Sequence, residues 1–357
     1  MIEYILDFIW KSVLNYRIKK FEESQIYSVK QFISKFGNGE KAISPPNYFR
    51  IETKSVVISV GNVSMGGSGK TPLVKKLLND FIPLNYSTCV ISKGYKRKSK
   101  EDRIITPENF TEYTCDEIGD EAALILYNCK KPVSVASTKY KALINAEIEL
   151  NPDIVVIDDG FQHRWIKKDV EILIVDDETI NNPHFPPFGR LREPVENLLL
   201  ADFILMPQNA DISEFPFLNN NNKVLYFTIN EGTPYSILNS QSKFDWEKKN
   251  MVISGIAKPN RFYKSLEKLS IPIKKKIAFA DHYNYTLNSI NGIIKTAVRN
   301  QLNIITTEKD AIKLIKYKNE FKKYNIEVFA LPIELNIIDE KNQIKERILN
   351  EIKKKNL

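Results

Sequence analysis

The sequence predicts an α/β fold. Its parts are a parallel-sheet domain of the phosphate-loop, NTPase-like kind, a second and smaller α/β domain, and an N-terminal amphipathic helix. Three observations predict it. A β-branched run, Ser55 to Ser59, leads into the glycine-rich stretch Val60 to Pro72, and a helical pattern (Leu73, Val74, Leu77, Leu78) opens directly after it. Short apolar runs then alternate with helical patterns as far as Met206, the rhythm of βαβ units. After a polar connector a second set of strands begins at Met251.

Taken in order, the first element is a helix. Ile2, Ile5, Leu6, Ile9, Trp10, Val13, Leu14 and Ile18 fall at helical spacing, with Glu3, Asp7, Lys11 and Asn15 opposite. The segment lacks the uninterrupted apolar run of a signal peptide and the ~20 apolar residues of a spanning helix. A helix about 25 Å long lying flat on a membrane fits it, with Trp10 at headgroup depth and Lys11, Arg17, Lys19 and Lys20 toward anionic lipid. Packing against the body of the protein fits it as well. A second helical stretch runs to about Phe36, and Gly37-Asn38-Gly39 and Pro45-Pro46 punctuate the chain ahead of the glycine-rich stretch. The expected organisation is a membrane-associated segment over 1–36, a phosphate-loop domain over 37–229, a connector over 230–250 and the smaller domain over 251–357, ending in a solvated Lys-rich helix.

Strands are expected at Thr88–Ser92, Val133–Ala136, Ile154–Ile157, Val170–Val175 and Phe203–Met206, then at Met251–Ser254, Ile277–Ala280, Ile304–Thr306 and Val328–Leu331. The composition, 27% charged and 43% hydrophobic, is that of a globular chain and excludes disorder. Cys89, Cys115 and Cys129 have no metal-ligand spacing and read as reduced thiols. A net charge of +8 favours an acidic partner: nucleic acid, anionic membrane or a phosphorylated substrate.

The chemistry begins at the glycine loop. Gly66, Gly67, Ser68 and Gly69 can turn backbone N–H groups toward phosphate oxygens, Lys70 can reach the β- and γ-phosphates, and the Thr71 hydroxyl can hold Mg²⁺. Ser64 stands where the strict motif has glycine, and a tight turn without a ligand is the bland alternative. Asp158 and Asp159 end a buried strand, where phosphate-loop enzymes hold Mg²⁺; an Asp-Asp-Gly turn is the plainer reading. The basic turn Ser92 to Arg97 is a phosphate clamp or a solvated loop. Asp120, opening a helix, is an N-cap or a general base. The stiff loop Pro186 to Pro194 carries Arg190, Arg192 and Glu193, and His282 follows a second-domain strand.

Together these motifs resemble the tetraacyldisaccharide 4′-kinase family, the lipid A 4′-kinases of Gram-negative bacteria. The resemblance rests on Gly61-Asn62, Gly66 to Pro72, Gly94-Tyr95, Gly119-Asp120-Glu121, Asp158 to His163, Leu191 to Pro194, Gly255 to Pro259, Asp281-His282-Tyr283 and Thr306 to Asp310. The family also lacks the first loop glycine. The chain departs from the family pattern at Lys93 and Lys96, where Arg and Gly are usual, and at Ala122, where Pro is usual. The resemblance implies transfer of the ATP γ-phosphate to the 4′-hydroxyl of a tetraacyldisaccharide 1-phosphate. It implies an active site between two α/β domains, ATP and Mg²⁺ as cofactors, and a peripheral seat on the cytoplasmic face of the inner membrane. Carried over by residue, it makes Asp120 and His282 a base dyad and adds Glu193 to Thr71, Asp158 and Asp159 as metal candidates. Asn62, Arg97, Gln162, His163 and Arg192 become substrate contacts. The partners are then a lipid A disaccharide precursor and an anionic membrane surface, with no nucleic acid and no protein partner inferred. A membrane-targeted regulatory ATPase is the competing class, but its loop requires Lys where this chain has Met65. A soluble small-metabolite kinase would leave the first helix without a purpose.

Overall fold

The computed structural model describes residues 2–37, 44–94, 97–213 and 215–357, without the side chains of 2–4. Tyr95 and Lys96 of the basic turn, and Asn38-Gly39, lie outside the described residues.

The chain opens with α1 (Ile2–Glu22), β1 (Ile26–Ser28) and α2 (Val29–Phe36). Ser28 and Gln31 form a capping box that starts α2 where its apolar pattern begins. β2 (Arg50–Glu52) pairs parallel with β1 as a small separate ribbon.

The main sheet takes β3 (Val56–Gly61), β4 (Thr88–Ser92), β5 (Arg103–Ile105), β6 (Val133–Val135), β7 (Ile154–Asp158), β8 (Val170–Ile174), β9 (Phe203–Pro207) and β10 (Val224–Glu231). Along it lie α3 (Lys70–Lys76), which runs on into a wider turn, α4 (Cys115–Ile118), α5 (Asp120–Cys129), α6 (Lys139–Glu149) and α7 (Asp177–Asn181). The second sheet takes β11 (Tyr235–Ser236), β12 (Asn250–Ser254), β13 (Ile273–Ala278), β14 (Asn303–Thr307) and β15 (Val328–Leu331). Its helices are α8 (Pro259–Lys268), α9 (Leu287–Asn300), α10 (Glu308–Leu314) and α11 (Lys318–Lys323). β16 (Ile333–Ile338) and α12 (Gln343–Lys354) close the chain.

The nine strands of the main sheet run in the order β16-β10-β9-β8-β3-β7-β4-β6-β5. All neighbours are parallel except the two edge pairs, β16 with β10 and β5 with β6. The central strands are buried on both faces, which is why they read as unbroken apolar runs rather than alternating ones. β3 lies between β7 and β8, so its carboxyl end and that of β7 open into one crevice.

The sequence-derived boundary at 251–357 requires a correction. Only Pro332 separates β15 from β16, and β16 leaves the second sheet to pair with β10. α12 follows it, burying Ile344, Ile348 and Ile352 in the core of the first domain, so it is not merely a solvated helix. The connector also contains strand: β10 extends to Glu231, and Tyr235–Ser236 pairs with β15. Gly232 donates its backbone N–H to the Pro332 carbonyl at 3.0 Å, so the outgoing and returning chains touch where they cross. β13 begins before the expected Ile277 because its lysines, Lys274 to Lys276, are exposed on an edge strand and hide the apolar signal.

α1 turns one side to the protein. Leu14 and Phe21 are buried, Trp10 stacks on Phe185, and Lys11 pairs with Glu196 at 2.8 Å. Asp7 Oδ2 lies 3.0 Å from His184 Nδ1. The polar residues Asp7 and Lys11 therefore face the body, whereas Ile5, Phe8, Ile9, Val13 and Tyr16 are exposed. Among the described residues no helix is long and apolar enough to cross a membrane.

Candidate active site

The phosphate loop leaves β3 at a crowded point. A Cβ on Gly61 would lie 2.5 Å from Phe161 Cβ, so only glycine lets the turn after β7 pack against it. Asn62 is buried, donates to Ser64 Oγ at 3.0 Å and accepts, through its carbonyl, from Gln162 Nε2 at 2.8 Å. The Ser64 hydroxyl meets Thr179 Oγ1 at 2.6 Å. The serine that breaks the strict motif is thus a buried tie between the loop and α7. Gly66 and Gly69 adopt φ of 114° and 94°, a backbone that favours glycine. Lys70 Nζ rests 3.3 Å from the Gly66 carbonyl and 3.4 Å from Asp159 Oδ1, while Thr71 is buried at the start of α3.

Asp158 and Asp159 differ although they are neighbours. Burial and the nearby Glu121 and Asp159 push Asp158 up to about 7, against the pull of Lys139 and Lys70. Burial acts the same way on Asp159, but Lys70, Lys139 and Arg192 outweigh it and hold that carboxyl well below the usual range. Arg192 Nη1 sits 2.9 Å from Asp159 Oδ2. Asp159 Oδ1 is buried and makes no hydrogen bond beyond its 3.4 Å ion pair with Lys70, and such an oxygen next to a second carboxylate, Asp158, is a fitting place for a divalent cation. Among the described residues no three or more His, Cys, Asp or Glu gather into a metal cage.

Other expected residues have different surroundings. Glu193 is buried, and its Oε2 accepts from Arg164 Nη2 at 3.0 Å and Asn197 Nδ2 at 2.8 Å. Arg97 bonds to the Glu101 carbonyl and lies 3.8 Å from Asp102, within its own loop. His163 lies beside the Asp159 turn and is kept neutral, lowered to about 3 by burial and by Lys139 and Lys168.

Asp120 and His282 come from different domains, yet the fold brings them together. Gly119, at φ 92°, turns the chain from α4 into α5 so that Asp120 opens the helix. His282 sits after β13 at φ 59°, its backbone N–H held by the Gly255 carbonyl at 3.0 Å. Its Nδ1 lies 2.9 Å from Asp120 Oδ2, the geometry of an imidazole N–H donated to a carboxylate. Burial works to raise Asp120, but hydrogen bonds from His282 and Lys313 prevail and keep it below the usual carboxyl range. The motifs Gly255 to Pro259 and Thr306 to Asp310 are the scaffold of this turn: Asp310 accepts from the Gly255 N–H at 2.9 Å, from Thr307 Oγ1 at 2.7 Å and from the Tyr285 hydroxyl at 3.1 Å.

Two buried lysines escaped the sequence reading. Lys139 donates to the main-chain carbonyls of Asp158 and Asp159, and burial lowers it to about 8. Lys313 pairs with Asp120 Oδ2 at 2.6 Å. The available signal was position: Lys139 lies one helical turn before Ala142 and Leu143 on the buried stripe of α6, and Lys313 stands between the buried Ile312 and Leu314.

The chain is similar to known proteins of one family along most of its length. The family profile of tetraacyldisaccharide-1-P 4′-kinase matches residues 47–353. The tetraacyldisaccharide 4′-kinase of Vibrio campbellii is 32% identical over 83% of this chain and 82% of its own length. That of Chlorobium phaeovibrioides is 31% identical over 72% and 77%. The crystal structure of LpxK from Aquifex aeolicus in complex with ATP superposes with a TM-score of 0.72 at 25% identity, covering 99% of both chains. The chain belongs to the tetraacyldisaccharide-1-P 4′-kinase family.

Proposed function

We propose a division of labour among these residues for the family reaction. The chain is a lipid A 4′-kinase: it transfers the γ-phosphate of ATP to the 4′-hydroxyl of tetraacyldisaccharide 1-phosphate. The observation that carries our reading of the site is the 2.9 Å contact between Asp120 and His282, made by residues 162 positions apart, within a fold that also presents a phosphate loop. Backbone N–H groups of Gly66 to Gly69 cradle the phosphates, and Lys70 exchanges its contact with Asp159 for the β- and γ-phosphate oxygens. Thr71, Asp158 and Asp159 would hold Mg²⁺, which when bound neutralises charge on those oxygens. Asp120, oriented by His282, takes the proton of the attacking hydroxyl. A loose transition state asks little of that base, so a carboxylate below the usual range suffices, and its main service is to aim the hydroxyl. Arg192, Gln162 and His163 line the turn beside Asp159 and are proposed to meet the sugar and its phosphate, whereas Asn62, fully buried and bonded to Ser64, shapes the loop instead.

The exposed stripe of α1 supports a peripheral seat on the cytoplasmic face of the inner membrane, where the acyl chains of the substrate would already lie. The test is an assay of ATP with the purified lipid disaccharide, run for the wild type, Asp120→Ala, His282→Ala and the double variant. Losses in kcat that fail to multiply support one unit. Strictly multiplicative losses, or no transfer to the lipid by the wild type, would refute this reading.

A further inference from the structure

We propose that Lys313 is a positioning residue of the Asp120–His282 pair: its ammonium, supplied by the second domain, grips the oxygen of Asp120 that His282 also holds and so aims the carboxylate at the acceptor hydroxyl. The inference rests on the proposed role of that pair as proton acceptor.

The geometry is specific. Lys313 Nζ lies 2.6 Å from Asp120 Oδ2, with the two side chains only 7% and 13% exposed. His282 Nδ1 approaches the same oxygen at 2.9 Å. With two donors on Oδ2, the incoming hydroxyl is directed to Oδ1. The ammonium also reaches the carbonyl of Tyr283, the residue after His282, at 3.4 Å. α10 therefore fixes both partners. Its Asp310 holds the Gly255 N–H while the Gly255 carbonyl holds the His282 backbone, and one turn later Lys313 holds Asp120. Methionine would fill this space without the cost of desolvating a cation, so the ammonium points to a role for the charge.

The surrounding charges do not duplicate it. Asp116, on α4, is held by Lys98 at 2.6 Å and Asn284 at 2.7 Å. Asp281 stands 3.8 Å from His282 Nε2, and Glu121 is 3.5 Å from Lys309. Asp310 has the partners already named, and Cys115 and Lys316 complete the set. A positive charge at position 313 favours ionised Asp120, so removing it moves the protonation of that carboxylate to higher pH.

The experiment measures kcat against pH for lipid phosphorylation by the full chain carrying Lys313→Met or Lys313→Arg. For the Met variant, a fall in kcat of about 10- to 100-fold is expected at neutral pH, the order of loss that misplacing a catalytic group brings. Its KM for ATP should stay within about twofold, and the acid limb of its profile should move up by about one pH unit. The Arg variant should keep the wild-type acid limb even where its rate is lower. Wild-type kcat in the Met variant, or a loss with an unmoved acid limb, would overturn the proposal. If the Met variant does not melt cooperatively, the Arg variant decides: an acid limb displaced despite the retained charge sinks the idea. The underlying dyad reading fails separately, through an Asp120→Ala variant that retains wild-type kcat.

Discussion

At the scale of residues, the proposed roles depend on charge placed before substrate arrives. Lys70 already faces Asp159, so its ammonium is held for phosphate by an ion pair. Lys70→Ala should lower kcat at least 100-fold, several kcal/mol of transition-state stabilisation, with an unchanged melting temperature; an activity above a tenth of wild type would contradict the assignment. Asp158 gives a second prediction. Raised to about 7, its carboxyl is a source of stability below its unfolded pKa of about 4, and that contribution is lost as pH rises through 7. A divalent cation competes with that proton. Mg²⁺ should therefore raise the melting temperature more at pH 8 than at pH 5.5, and Asp158→Asn should flatten the difference; an equal shift at both pH values would place the cation elsewhere. The glycines, Lys70, Asp120, Asp158 and His282 were legible in the sequence because few residue types can take those places. Lys139 and Lys313 were not, because a lysine within a helix ordinarily means solvent, and only contact with residues distant in the chain reveals otherwise.

At the scale of elements, α1 divides its apolar residues between two surfaces. Leu14 and Phe21 anchor it, and Phe8 and Val13 stand on the exposed side, at 72% and 50%. Substituting both Phe8 and Val13 by Glu should release the protein from vesicles containing anionic lipid without lowering its melting temperature. Binding that persists would mean another surface holds the membrane. This is a sharper test than deleting the helix, which would also uncover Phe185 and Trp165. The buried strands of the main sheet were readable from the sequence because burial on both faces leaves no polar interruption. β10 and β13 were obscured because one is half-exposed and the other is an edge strand studded with lysine. α12 was misread for a related reason: its lysines dominate the composition, whereas three isoleucines decide where it packs.

At the scale of the whole molecule, the second sheet is inserted into the first domain. A chain ending at Pro332 would leave β10 without its antiparallel neighbour and the first core without Ile344, Ile348 and Ile352. Such a truncation should fail to melt cooperatively, although it retains each residue of the proposed dyad; a cooperative melt near the wild-type temperature would refute this account. Glu308 adds a tie between the bodies, accepting from Lys75 of α3 at 2.7 Å and from Asn128 of α5 at 3.0 Å. Glu308→Ala should lower the melting temperature by a few degrees, since it strands a partly buried lysine. The paired crossings at Gly232 and Pro332 have a mechanical meaning. Two strands of chain, bonded side by side, act as a door hinge rather than a tether. Such a pairing resists twisting and sliding more than it resists bending about its common line. His282 and Lys313 both stand beyond that line from Asp120, so a bend there would engage or release them together.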